Sequence, residues 1–480
     1  MILAWLENSS GIKGQKVGRS APRRAAARWR RLADGSWFIM RIHLSNYGEA
    51  SSQPSPVSRM MSQFAAGFRD GVDINLGVGY VNEKTIPVGH LRAAMEAVAG
   101  DPVRYRQAFN YGSPAGSPNL IASLRRFLIE QHVGQLDETT LARQRLAIGA
   151  CGATSILDAL AGVLPRGIVV TSDPMYYIYT EGLMRRGFEV LAVPEDEEGI
   201  ELRALEHKLD ALGGAAERIS FFYTVTVNNP SCTILSNRRR RALLDVAARL
   251  SRKQGRRIPV IYDLAYEPLL HDPCVEPFLS ALPADELGLA YEIGSLSKVL
   301  APGMRIGYIL GSDGPFMNAM VEATSDTGFS APLFVQEMAS YLLDHHIGGQ
   351  IHAVNAGYRE KALAVRAGLD RELGPLVEEC RGGSAGFYYY LTLSVETHPD
   401  SAFFRFLNRT TGDAAVDGPA EQRQPCVSYI PGEYCVHPQG DLAARGRRQL
   451  RISYAFENVE RILQALGLMS AAAEYAGMAS

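Results

Sequence analysis

Apolar and polar positions change rhythm along the chain, and the change divides it. Between about 145 and 312, short β-rich apolar runs alternate with stretches of helical periodicity. "RLAIGACGATSILDALAGVL" reads as a strand end, a glycine-rich turn and a helix. "GIVVTSDP" is a short strand, "MYYIYTEGLMRRG" a helix and "FEVLAVP" a strand. "RISFFYTVTVNNP" is a buried strand that stops at Asn-Asn-Pro. In "NRRRRALLDVAARLSRKQG", Leu243, Leu244, Ala247 and Leu250 form one helical stripe, and the arginine run reads as a solvated face. "IPVIYDLAY", "YEIGSLSK" and "RIGYILG" each contain a strand. Strands alternating with helices predict right-handed βαβ units, hence an α/β fold with a mostly parallel, doubly wound sheet. After about 335 a long helical stretch precedes the short strands "GFYYYLTL", "CVSYIPGEY" and "QLRISYAF", which predicts a smaller α+β domain. Residues 411–425, polar with glycine and proline, read as a surface loop.

Composition narrows the function classes. The chain has 480 residues, 46% apolar and 21% charged, and a formal net charge of −2. That balance carries no electrostatic footprint for nucleic acid. No apolar run reaches the roughly 18–20 residues of a membrane helix. Six cysteines, with no CxxC pair and no zinc-finger spacing, read as free thiols in a reducing, cytoplasmic compartment, with no metal site. The start is unusual: eight lysines and arginines and no acidic residue lie between 12 and 31. A transit peptide, a basic arm and a non-native extension before Met40 all fit it. Residues 1–39 are set aside from the fold as disordered or non-native.

Candidate chemistry collects at predicted strand ends. Asn229 follows "FFYTVTVN", Asp263 closes "IPVIYD", and Lys298 follows "YEIGSLS". Ligands of open α/β sheets bind at the carboxyl ends of the strands. A ligand there would meet an amide, a carboxylate and an amine together. Pyridoxal phosphate asks for that set: a lysine for a Schiff base, an acid for its ring nitrogen and a cradle for its phosphate.

Five segments then carry a resemblance. "SLSKVLAPGMRIGY", "YDLAY", "VNNPSCT", "NYGSPAGSPNLIASLRRFL" and "LRISYAF" occur in the order and rough spacing of the lysine, D-x-x-Y, N-P-x-G, Y-x-x-x-x-G-x-x-x-L-R and carboxylate-arginine elements of class I/II aminotransferases. Over about residues 70–470 the chain resembles this aspartate-aminotransferase-like, fold type I family. The resemblance implies a pyridoxal-phosphate-dependent enzyme that moves an amino group between an amino acid and a 2-oxo acid. Lys298 would form the Schiff base and shuttle a proton. Asp263 would pair with the ring nitrogen, and Tyr266 and Asn229 would hydrogen-bond the ring oxygen. Gly152, Ala153 and Thr154 at a helix N-terminus, with Ser295, Ser297 and Arg305, would hold the phosphate. Tyr176 would stack on the ring, with Tyr177 as its rival. Arg451 would bind the substrate α-carboxylate near Gly79 and Asn229. Tyr111 would reach into the neighbouring subunit of a homodimer with shared sites. The implied division is an arm at 40–100 that contributes to the small domain, a large cofactor domain at 101–335 and a small domain at 336–480.

The sequence also departs from the family pattern. Cys232 stands where N-P-x-G has glycine, and a side chain resists φ > 0, so a changed turn is expected. Ala153 stands where a hydroxyl is common, and "GYVNEKTIP" lacks the usual proline. These departures touch substrate choice more than activity. A lyase or cyclase of the aminocyclopropane-carboxylate-synthase type is the alternative reaction. A non-catalytic sensor of the kind fused to transcription regulators is a third reading, but the arginine-rich start shows no helix-turn-helix pattern.

Overall fold

The computed structural model describes residues 42–419 and 422–479, together with the backbone of Trp29–Arg31 and Trp37–Ile39. Most of the segment set aside at 1–39 therefore lies outside the described residues. The chain divides into two compact units, Met1–Glu49 and Ala50–Ser480. In the first, Trp29–Arg31 and Trp37–Ile39 pair antiparallel. The site and everything below belong to the second.

Eight strands of the second unit form the main sheet. They are β1 (Gln144–Ile148), β2 (Ile168–Asp173), β3 (Glu189–Asp196), β4 (Gly199–Ile200), β5 (Ile219–Val225), β6 (Val260–Asp263), β7 (Ala290–Ser295) and β8 (Gly307–Ser312). Their spatial order is β1-β8-β7-β6-β5-β2-β3-β4. The core β7-β6-β5-β2-β3 is parallel, whereas β8 runs antiparallel to both neighbours. Every residue of β2, β5 and β6 is buried, as expected of strands covered on both faces. The register aligns Val225 with Asp263 and Asp263 with Ile293, so the three strands end side by side.

A second, antiparallel sheet comes from the C-terminal region: β9 (Val377–Gly382), β10 (Tyr388–Leu393), β11 (Ile430–Pro431) and β12 (Gln449–Ser453), in the order β9-β10-β12-β11. Arg451 on β12 faces Tyr390 on one side and Ile430 on the other, in the middle of this sheet. The segment Ile74–Asn75 pairs parallel with Val427–Ser428, and the Leu76 carbonyl accepts from the Ser453 amide at 2.8 Å. That pairing delivers the next residues, Gly77 to Gly79, to the edge of the site.

Two local expectations need correction. The arginine run does cap and begin a helix, Asn237–Gln254, with the Ser236 side chain accepting from the Arg239 amide and Gly255 closing it at φ 65°. Its face is not simply solvated, however. Arg239 and Arg240 are buried. Arg240 pairs with Glu267 and lies over the rings of Tyr262 and Phe278, and Arg239 pairs with Asp196 at 2.8 Å. Carboxylates from two other segments neutralise charges that helical periodicity alone assigns to water. Within the loop expected at 411–425, Ala414–Asp417 forms one helical turn capped by the Asp413 side chain. No helix among the described residues is long and apolar enough to cross a membrane.

Candidate active site

Beyond the aligned ends of β5, β6 and β7 lies a cavity of about 130 Å³. Asn229, Asp263, Tyr266, Ser295, Ser297, Lys298 and Arg305 line it, with Tyr176 and the first helical residues Ala153 and Thr154. These ten residues, from separate segments of the chain, meet there because parallel strands end at one edge.

Lys298 is three residues past β7. The Ser297 amide donates to Ser295 Oγ at 3.1 Å, which fixes the turn that aims the lysine inward. Its Nζ donates to the Gly79 carbonyl at 3.2 Å and lies 5.3 and 5.5 Å from the ring centres of Tyr266 and Phe387. Burial, then the Arg451 and Arg305 charges, pull its pKa down to about 8, while Asp263 acts in the opposite sense. Asp263, the last residue of β6, is buried. Its carboxylate accepts from the Tyr223 hydroxyl and the Ala265 amide, both at 3.0 Å. Burial raises its pKa to about 6; those hydrogen bonds and Lys298 hold it from going higher.

Arg305 takes left-handed backbone geometry at φ 56° and turns its guanidinium to the N-terminus of helix Gly152–Val163. It donates to the carbonyls of Cys151 and Pro302, each at 3.2 Å. Gly152 is not on the cavity wall. Its amide is taken by the Arg305 carbonyl at 2.7 Å, and its φ of 65° makes the turn that presents Ala153 and Thr154. Gly307 lets that turn approach β8, since a Cβ there would lie 2.2 Å from the Ala153 nitrogen.

A second cavity, about 420 Å³, shares Tyr176, Asn229, Tyr266 and Lys298 with the first. Gly79 and Arg451 line it. Arg451 donates to Asn229 Oδ1 at 2.7 Å and to the Gly77 carbonyl at 2.5 Å, and its guanidinium lies 4.2 Å from the centre of the Tyr388 ring. Its Nε is buried without a partner. Among the described residues no carboxylate forms an ion pair with Lys298, Arg305 or Arg451. Three cations around joined cavities leave room for anionic ligands.

Tyr111 stands apart: it is 81% exposed, packs against Phe329 and lines neither cavity. Cys232 keeps the left-handed geometry that glycine would take, at φ 52°, with its amide bonded to the Asn228 carbonyl. The turn thus carries a side chain at a positive φ. Three consecutive tyrosines, Tyr388, Tyr389 and Tyr390, lie on β10. Tyr388 is the pocket residue: its hydroxyl meets that of Tyr266 at 3.0 Å. Tyr389 faces the other side of the sheet and donates to the Ala362 carbonyl, and Tyr390 joins a buried cluster with Val57. Residues not anticipated include Ser55, Met61, Glu181 and Arg185. Helical periodicity places Glu181 and Arg185 on one face but does not show what that face meets.

A mostly parallel sheet with a lysine, an aspartate and an arginine at its rim, beside a small antiparallel sheet that carries a second arginine, has the architecture of aspartate-aminotransferase-like proteins. The chain belongs to the family "Aminotransferase class I and II", whose match covers residues 73–418. Among curated proteins it is 27% identical over 357 residues to the mitochondrial kynurenine/alpha-aminoadipate aminotransferase of Bos taurus, covering 68% of this chain and 79% of that one. It is 26% identical over 268 residues to the uncharacterized HTH-type transcriptional regulator YdfD of Bacillus subtilis, covering 56% of this chain and 51% of the regulator. The chain thus spans about half the length of some curated relatives it matches. The multiple substrate aminotransferase of Thermococcus profundus superposes with a TM-score of 0.76 at 20% identity, covering 91% of this chain and 98% of that one.

Proposed function

We propose that the protein is a pyridoxal-phosphate-dependent aminotransferase acting on an amino acid and a 2-oxo acid. The observation that carries this reading is the buried Lys298 amine, with its pKa near 8, set between Asp263 and two arginines free of carboxylate partners. The residues fit the cofactor. Arg305 and the amides of Ala153 and Thr154 suit a phosphate, and Asp263 suits a protonated pyridine nitrogen. Tyr266 and Asn229 would donate to the ring oxygen, and Tyr176 would lie against the ring. Pyridoxal phosphate, when bound, supplies an aldehyde that condenses with amines and a ring that takes up the electron pair left at Cα. The chain does the rest. Arg451, with Gly79 nearby, holds the α-carboxylate by its planar fork. Lys298, neutral above about pH 8, takes the proton from Cα and returns it on the other side of the transfer.

Relatives with a named activity support transfer over elimination or cyclisation, since they are called aminotransferases or transaminases. The exposed rings of Phe109, Tyr111 and Phe329, with Val103 also exposed, form an apolar face that suits a second copy in a homodimer sharing its sites. Six free thiols match a reducing, cytoplasmic setting.

The test is the visible spectrum of the protein reconstituted with pyridoxal phosphate. We expect a band that Lys298→Ala abolishes, that an amino acid bleaches and that a 2-oxo acid restores. Bleaching with release of ammonia and no restoration would establish elimination instead, and absence of any band would overturn the reading.

A further inference from the structure

The outer cavity is buried at one end and opens at the other. Arg451 is 2% exposed, whereas the Glu181 and Arg185 side chains are 24% and 31% exposed. Ile178, Glu181 and Arg185 line that outer part from one face of helix Tyr177–Arg185, at i, i+3 and i+7. Val57 and Met61 line it from helix Pro56–Gly67. Glu181 and Arg185 form a loose ion pair, 3.8 Å apart. Ser55 stands within hydrogen-bonding reach of the Glu181 carboxylate, and burial raises the pKa of that carboxyl. Arg185 Nε is buried with no partner. Glu181 is the one carboxylate among the residues that line this cavity.

We propose that Glu181 and Arg185 form a self-neutralising reader of the substrate side chain, so that the enzyme takes amino acids with long side chains of no net charge. This rests on the aminotransferase reading of the inner cavity. With the α-carboxylate on Arg451, a long side chain runs outward between apolar walls toward the pair. A second carboxylate there meets the Glu181 charge, and Arg185 only balances that charge, so the pair offers it no net cation. A terminal ammonium meets Arg185 while Glu181 is engaged. Either like-charge approach in a partly desolvated cleft is costly. A neutral side chain leaves the pair intact, buries its stem against Val57, Met61 and Ile178, and can accept a hydrogen bond from Arg185 Nε through a carbonyl or thioether.

The experiment compares L-methionine, L-2-aminoadipate and L-lysine as amino donors for the holoenzyme. Alongside, calorimetry measures binding of hexanoate and adipate, unreactive mono- and dicarboxylates. The wild type should favour methionine by about tenfold or more in kcat/KM, and hexanoate over adipate. Glu181→Gln should raise kcat/KM for 2-aminoadipate and tighten adipate by about tenfold without helping lysine. Arg185→Met should help lysine alone. These are gains, so a misfolded variant cannot imitate them. A wild type that prefers 2-aminoadipate or lysine, or a Glu181→Gln enzyme with unchanged discrimination, overturns the proposal. Should no amino acid be turned over, the aminotransferase reading fails by itself, and the adipate-to-hexanoate ratio in wild type and Glu181→Gln still decides the reader.

Discussion

The inner and outer cavities share Lys298, Asn229, Tyr176 and Tyr266, yet they are built by different routes. The inner one takes Asp263, Ser295, Ser297 and Lys298 from the ends of two adjacent parallel strands, and Arg305 from the turn that returns into β8. Each residue is placed by backbone that the sheet already fixes. The outer one borrows from helix Pro56–Gly67, the Gly77–Gly79 segment, helix Tyr177–Arg185 and the small sheet, four segments that converge around Arg451. On the proposed reading, the groups for the cofactor sit on the sheet edge, and the groups for the substrate, Arg451 among them, sit on the outer cavity. Helix Pro56–Gly67 illustrates the contrast, since Val57 is its only buried residue.

The sharpest way to break this comparison is to remove one side chain from each half. Lys298→Ala should lower turnover by at least about 100- to 10,000-fold, because the proton shuttle goes with the amine. Cofactor retention, read from absorbance after gel filtration, should fall with it. Arg451→Met should instead raise KM by about 100-fold and leave the bound cofactor band in place, since a buried, hydrogen-bonded cation contributes far more than a surface one. Loss of the cofactor in Arg451→Met would show that the halves are not separable. A smaller effect tests Lys298 in the apoprotein. With a pKa of about 8, the neutral amine that attacks a carbonyl grows about tenfold between pH 7 and pH 9. The rate of pyridoxal phosphate capture should rise with it, and a flat profile would contradict the burial argument.

The same contrast explains what the sequence made legible. Asp263, Asn229 and Lys298 could be singled out because strand-end position and residue type coincide within a few residues. The sheet itself was readable from alternating strands and helices. Gly152 was assigned to the ligand because glycine-rich turns often face phosphates, but its amide is spent on the Arg305 carbonyl. Nothing in one sequence records that a carbonyl 153 residues away will arrive there. Arg239 and Arg240 were read as solvated for a related reason: their carboxylate partners, Asp196 and Glu267, come from other segments. Glu181 and Arg185 were not read at all, because a charged pair four apart on a helix is ordinary until the opposite wall is known.

Tyr388 joins the two halves, and its hydroxyl offers the finest test of how independent they are. Its ring supports the Arg451 guanidinium at 4.2 Å, while its oxygen meets the Tyr266 hydroxyl at 3.0 Å. Gly79 has no side chain at the same point, where a Cβ would lie 2.7 Å from that oxygen. Tyr388→Phe keeps the ring, and so the support for Arg451, and removes only the hydrogen bond. A neutral hydrogen bond of this kind contributes on the order of 1 kcal/mol, or about fivefold. If the halves act separately, the loss should appear in the pH profile of the cofactor band through Tyr266, with KM for the amino acid unchanged within about twofold. If KM rises as far as the band shifts, Tyr388 couples cofactor and substrate through one oxygen, and the division between a rigid inner edge and an assembled outer surface ends at this residue.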